Sequence, residues 1–130
     1  MNISSILFVI SIGNYLRNKL MKIIIIGGVA GGATTAARIR RVDEAAEIIL
    51  LEKGKYISYA NCGLPYYIGG VIEEREKLFV QTPEAFSTRF RVDVRTENEV
   101  IFIDRKRKTV TVRRSSEDTY QESYDKLLIS

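Results

Sequence analysis

The sequence predicts an α/β fold, in which a parallel sheet crossed by a helix is followed by an antiparallel β meander. Three observations predict it. The run Lys22-Ile23-Ile24-Ile25-Ile26 is largely β-branched and stops at a glycine pair, as a strand covered on both faces does. Ala30 to Val42, rich in Ala and Arg, reads as a helix, and Ile48 to Leu51 is a second apolar run ending at Glu52. Strand, glycine turn, helix and strand in this order form a βαβ unit with a right-handed crossover. Farther on, the alternation of VDVR, EVIFID and TVTVRR predicts antiparallel strands, each with one solvated face.

The remaining elements follow in chain order. Tyr56 to Gly70 carries turn residues and aromatics, with a short helix starting near Cys62. Thr82-Pro83-Glu84 supplies a capping hydroxyl, a proline at the first helical position and an acid in the first turn, so a helix runs from there to about Phe90. Tyr124 to Ser130 turns apolar again, as a returning strand. The cationic run Arg105-Lys106-Arg107-Lys108 lies between two predicted strands and reads as a solvated hairpin turn. No aromatic residues are interleaved with it, as a surface stacking nucleic-acid bases would require.

Composition narrows the chemistry. At 130 residues the chain makes one domain at most, and its net charge of +4 is a small basic excess. With no histidine, the chain lacks the commonest general base and zinc ligand. A single cysteine forms no internal disulfide and no zinc site, so no metal is expected, and it fits a reducing, cytoplasmic setting. Residues 1–20 form an N-terminal extension. Its apolar stretch, Ile3 to Ile12, is too short to cross a bilayer, and no basic residue precedes it as in a signal peptide. Met21, directly before the first strand, reads as the natural start, and neither a membrane nor a nucleic-acid partner is expected.

The turn after the first strand holds Gly27, Gly28, Ala30, Gly31 and Gly32. Small residues let a pyrophosphate approach the backbone N–H groups and the positive dipole end of the helix. Val29 stands where the strict G-x-G-x-x-G pattern has its second glycine. Glu52, 20 residues beyond Gly32 at the end of the second strand, is placed to accept hydrogen bonds from ribose hydroxyls, with Lys53 beside it. The arrangement predicts dinucleotide binding and does not separate FAD from NAD. Cys62 follows a polar loop at a predicted helix start, a position that favours thiolate, the form that attacks disulfides. Ser58 and Asn61 add hydrogen-bonding groups, and Gly63 would clear space beside the sulfur.

Taken together, GGVAGGATTAARIRR, LEK, SYANCGLPYYIGG and YDKLLIS resemble coenzyme A-disulfide reductases and their NADH oxidase relatives, from Met21 to Ser130. The resemblance implies a Rossmann-like FAD-binding domain, here partial over residues 21–130, without the family's NAD(P)H-binding and dimerisation domains. It implies that Gly27 to Gly32, with Glu52 and Lys53, hold the FAD, and that NAD(P)H is the electron donor bound by a missing domain. It also implies that Cys62 is the redox-active nucleophile, that Thr34, Arg41, Ser58 and Asn61 contact coenzyme A, and that the full-length protein is a homodimer. Independently, Thr34, Arg38 and Arg41 share one helix face, leaving Ala33, Ala36, Ala37 and Ile39 to pack inward. Two guanidiniums there suit phosphates or simply form a solvated face.

The mechanism that the resemblance implies passes through a mixed disulfide between Cys62 and coenzyme A. The superfamily's second cysteine would fall at position 67, where Tyr67 stands, so the partner sulfur comes from the substrate or Cys62 cycles through sulfenic acid. An isolated N-terminal part of this kind is expected to lack turnover. Alternatives are an NADH oxidase or a persulfide or polysulfide reductase of the same family and, from another class, a non-catalytic nucleotide-binding module.

Overall fold

The computed structural model of the chain describes residues 20–58, 60–114 and 117–130. The expectations for residues 1–19 and for Tyr59 lie outside the described residues. The order is β1 (Lys22–Ile26), α1 (Gly31–Val42), β2 (Glu47–Leu51), a 3-10 turn (Asn61–Gly63), α2 (Leu64–Ile68), a second 3-10 turn (Arg75–Leu78) and α3 (Pro83–Phe90). Then come β3 (Asp93–Arg95), β4 (Glu99–Asp104), β5 (Thr109–Arg113), β6 (Thr119–Ser123) and β7 (Lys126–Ile129).

Two sheets form: a parallel one ordered β3-β2-β1-β7 and an antiparallel meander ordered β4-β5-β6. In the parallel register Ile24 lies opposite Ile49 on one side and Leu127 on the other. Successive side chains of β1 serve opposite layers, which is why the strand is isoleucine from Ile23 to Ile26. Ile23 and Ile25 pack with Ala33, Ala36, Phe86 and Val92 under the helices. Ile24 packs with Ile49, Leu51, Val110 and Val112 under the meander. The parallel sheet is thus the middle of three layers.

The alanines of α1 point inward as its periodicity predicts: Ala33 and Ala36 are buried, while Ala37 and Ile39 are partly buried against the same cluster. Arg40 anchors the helix end, donating to the backbone oxygens of Glu44, Phe90 and Arg91 at 2.7, 2.9 and 2.7 Å. Thr82 Oγ1 accepts from the Ala85 N–H at 3.1 Å to cap α3, and the helix stops at Arg91 in the left-handed conformation.

Two strands differ from expectation. Asp93–Arg95 pairs parallel with β2 rather than antiparallel in the meander. The chain reaches it through α3, a crossover that returns the strand in the same direction, and Val92 just before it and Val94 at its centre pack with the helix layer. Alternation alone carries no information about the partner's direction. The third meander strand, TYQES, was not expected, because its inward residues are Tyr120 and Glu122 rather than two aliphatics. Residues 105–108 form the tight turn between β4 and β5, where Asp104 Oδ1 accepts from the Lys106 and Arg107 N–H groups at 3.0 and 2.9 Å.

Glu122 joins the two sheets. Its carboxylate takes Lys22 Nζ of β1 at 2.5 Å and Arg95 Nη1 of β3 at 2.8 Å. Burial pushes this carboxyl up, but hydrogen bonds from Lys22 and Arg95 and their charges outweigh it, leaving it below the usual carboxylate range. No helix among the described residues is long and apolar enough to cross a membrane.

Candidate functional site

A cleft of about 450 Å³ opens where β1, β2 and β7 end, lined by Gly27, Val29, Glu52, Lys53, Asn98, Glu99 and Ser130 among others. This is the carboxyl edge of a parallel sheet, where open α/β folds bind ligands. Gly27 has φ +95°, and a Cβ there would meet the Ser130 backbone oxygen at 2.7 Å. A Cβ on Gly32 would lie 1.8 Å from the Gly27 oxygen, and one on Gly28 would run into Ile57. These glycines let β1, α1 and β7 converge at one point. Ala30 turns the corner with φ 39° and ψ −81°, a conformation sparsely populated by residues with a side chain.

The N-terminus of α1 has no side-chain cap and no acid in its first turn. The first-turn N–H groups that a helix leaves without an intrahelical partner therefore meet neither a capping side chain nor a repelling acid, which suits an anion. Glu52, buried at 9% exposure, accepts from the Gly28 N–H at 2.8 Å through Oε2 and from the Gly54 N–H at 2.7 Å through Oε1. A carboxylate offers about four lone-pair directions, so two remain beyond these bonds. Beside it, hydrogen bonding and charge from Arg113 hold the Glu99 carboxyl below the usual range, and Lys53 adds a weaker pull. An uncapped helix start, a glycine cradle and a fixed carboxylate are the elements that a dinucleotide's pyrophosphate and ribose require, so the chain's residues fit FAD.

A second cleft, of about 380 Å³, is lined by Thr34, Arg38, Arg41 and Ser58 together with Gln81, Phe86 and Phe90. Four residues singled out from two separate sequence segments thus share one surface. Ser58 is in the left-handed conformation (φ 53°), and its N–H donates to the Gly28 oxygen at 3.2 Å. That bond ties the cysteine loop to the glycine turn. On the other side of the loop the Val80 N–H donates to the Ser58 oxygen and the Ala60 N–H to the Leu78 oxygen, at 3.1 and 2.9 Å.

Cys62 is a free, exposed thiol in the Asn61–Gly63 turn, and it lines neither of these clefts. The side chain of Asn61 lies outside the described residues. The expected helix near Cys62 is a 3-10 turn followed by the five-residue α2, so little helix dipole acts at the sulfur. Gly63 does not open space beside the thiol: a Cβ there would meet Leu78 Cδ2 at 2.7 Å, and the glycine serves loop packing. Sequence reasoning missed Asn98, Glu99 and Ser130 on the first cleft. Ser130 was within reach, since a returning strand beside β1 must end at the glycine turn. Asn98 and Glu99 carry no local signal.

Residues 21–130 match the family model described as pyridine nucleotide-disulphide oxidoreductase. Over 110 residues the chain is 52% identical to the coenzyme A disulfide reductase of Staphylococcus epidermidis, covering 84% of this chain and 25% of that protein. The chain therefore spans about a quarter of the length of the curated relatives it matches. Among solved structures, reduced Bacillus anthracis CoADR-RHD is 54% identical with a TM-score of 0.82, covering 87% of this chain and 20% of that one. An NAD-dependent persulfide reductase from A. fulgidus is 41% identical with a TM-score of 0.79, covering 84% and 20%. With the glycine turn, the buried carboxylate and the parallel sheet all lying inside the matched span, the chain belongs to the pyridine nucleotide-disulphide oxidoreductase family.

Proposed function

We propose that this chain forms the FAD-binding part of a disulfide reductase acting on coenzyme A disulfide through Cys62. The observation that carries the reading is the shared cleft of Thr34, Arg38, Arg41 and Ser58, linked through the loop beginning at Ser58 to an exposed Cys62. Half-identity to coenzyme A disulfide reductases over the same residues supports it.

In this reading the turn Gly27–Gly32 and the α1 N-terminus hold the pyrophosphate, and Glu52, with Lys53 beside it, takes the ribose hydroxyls. FAD, when bound, supplies the two electrons that NAD(P)H delivers. Arg38 and Arg41 bind the phosphates of coenzyme A, with Thr34, Ser58 and Asn61 as polar contacts. Cys62 thiolate attacks one sulfur of the disulfide, so one S–S bond breaks, a Cys62–coenzyme A disulfide forms and one coenzyme A leaves as thiolate. Two electrons and a proton then restore the Cys62 thiolate and release the second coenzyme A as thiol. The NAD(P)H site and the homodimer contacts are assigned to parts of the longer relatives beyond the matched span, and the cytoplasm is the assigned compartment. The 130-residue chain alone is accordingly expected to show no NAD(P)H-dependent disulfide reduction.

The direct test is mass spectrometry after incubating the chain with coenzyme A disulfide or with glutathione disulfide. One coenzyme A adduct should appear on Cys62, faster than the glutathione adduct, and should vanish in Cys62→Ser. Equal rates with the two disulfides would remove coenzyme A recognition, and no adduct would remove the role of Cys62. The resemblance to the persulfide reductase favours a second reading, in which Cys62 takes up sulfane sulfur. A faster reaction with polysulfide than with coenzyme A disulfide would select it.

A further inference from the structure

The parallel sheet and the meander meet beside the first cleft, and one tyrosine spans the junction. Tyr120 of β6 faces the gap between the sheets, half-buried. Its hydroxyl donates to Asn98 Oδ1 at 2.9 Å and accepts from Arg95 Nη1 at 3.1 Å. Its ring lies under two guanidiniums, Arg114 at 4.8 Å and Arg95 at 5.6 Å from the ring centre. Asn98 lines the first cleft together with Glu52.

The backbone joins these residues closely. The Glu52 N–H donates to the Arg95 oxygen at 3.0 Å, the Asn98 N–H to the Glu52 oxygen at 2.9 Å and the Glu97 N–H to the Gly54 oxygen at 3.0 Å. Residues 95–98 therefore run alongside 52–54 as a second strip of the cleft rim, turning at Glu97 with φ 57°. Backbone bonds fix where Asn98 sits but not where its amide points. That orientation rests on two bonds, from the Tyr120 hydroxyl to Oδ1 and from Nδ2 to the Thr96 oxygen at 2.7 Å. An amide free to turn presents a donor and an acceptor interchangeably to a ligand, whereas a fixed one presents a single pattern.

We infer that Tyr120 is a positioning residue for the dinucleotide cleft: by holding the Asn98 side chain it pre-organises the rim facing Glu52, and so raises affinity for the adenosine diphosphate half of the ligand. This rests on the reading of that cleft as the FAD site. Tyr120→Phe removes the hydroxyl and keeps the ring that the two guanidiniums pack against. Arg95 stays anchored by Asp93 at 2.6 Å and Glu122 at 2.8 Å, so the sheets remain joined.

The experiment measures dissociation constants of FAD, by flavin fluorescence, and of ADP, by calorimetry, for the full chain, Tyr120→Phe, Asn98→Ala and the double variant. Circular dichroism checks that each is folded at the assay temperature. Tyr120→Phe should weaken FAD and ADP alike by about fivefold, the worth of one net hydrogen bond. The double variant should bind no worse than Asn98→Ala alone, because both changes remove one interaction. A tyrosine that only supports the fold would lower the melting temperature and leave both affinities unchanged, which overturns the inference. Additive losses in the double variant overturn it too. Failure of the unsubstituted chain to bind either nucleotide overturns the FAD reading itself, and the inference with it.

Discussion

Replacing Gly32 by alanine should break the turn that the whole site is built on. Helix propensity alone favours the change by about 1 kcal/mol, since alanine is the better helix former. The structure opposes it. The new Cβ would lie 1.8 Å from the Gly27 oxygen and 2.9 Å from the Gly27 carbonyl carbon, both backbone atoms that no rotamer can move aside. Reaching even the 3.0 Å that real Cβ atoms keep requires α1 to withdraw from β1 by about 1.2 Å. Ala33 and Ala36, buried at 6% and 0% exposure, would withdraw with it and leave a gap over Ile25. Overpacking and cavity terms together cost about 3 kcal/mol, for a net loss of about 2 kcal/mol after the propensity gain. Urea denaturation followed by circular dichroism reads this as a fall in midpoint of about 2 M, for a slope near 1 kcal/mol per M. The control is Gly31→Ala. Its Cβ would come close to Ser130 Oγ, at 2.8 Å, the movable end of a side chain, and meet no backbone atom beyond its own helix, so stability should hold within about 0.5 kcal/mol. A Gly32→Ala chain as stable as the original, or a Gly31→Ala chain equally damaged, would refute the argument from close approach.

Two further outcomes follow from the scaffold. Because the folded Glu122 carboxyl titrates below its ordinary value of 4.5, its contribution is present above that pH and is lost as pH falls through the lower folded value. Glu122→Gln should therefore flatten the fall in stability on acidification, by about 1 kcal/mol at most for a partly exposed pair, as read from urea midpoints between pH 2 and 6; an unchanged acid slope would count against the link to Lys22 and Arg95. Thr82→Ala deletes the cap that Oγ1 gives the Ala85 N–H and should cost about 1 kcal/mol of stability, whereas Thr82→Ser should cost little; equal losses in the two variants would show that the hydroxyl is not what matters.

The sequence by itself determined the elements whose signals are local. An apolar run fixes β1 as a strand covered on both sides, because period-two side chains must satisfy two layers at once. Thr82 and Pro83 fix where α3 begins, because capping depends only on neighbours in the chain. The positions of the glycine turn, of Glu52 and of the arginine face of α1 were legible because each is a spacing within one βαβ unit or one helix. The tertiary structure alone decided what depends on partners distant in sequence. VDVR has the alternation of a strand, but its parallel pairing with β2 is set by the crossover through α3. TYQES is a strand because β5 offers it a ladder and because Arg95, 25 residues before Tyr120, gives Tyr120 and Glu122 a partner in the gap between the sheets. The role of Asn98 in the cleft rim belongs to the same class. No pattern marks a loop asparagine as functional until folding brings it against Glu52, because the backbone hydrogen bonds that place it join segments more than forty residues apart.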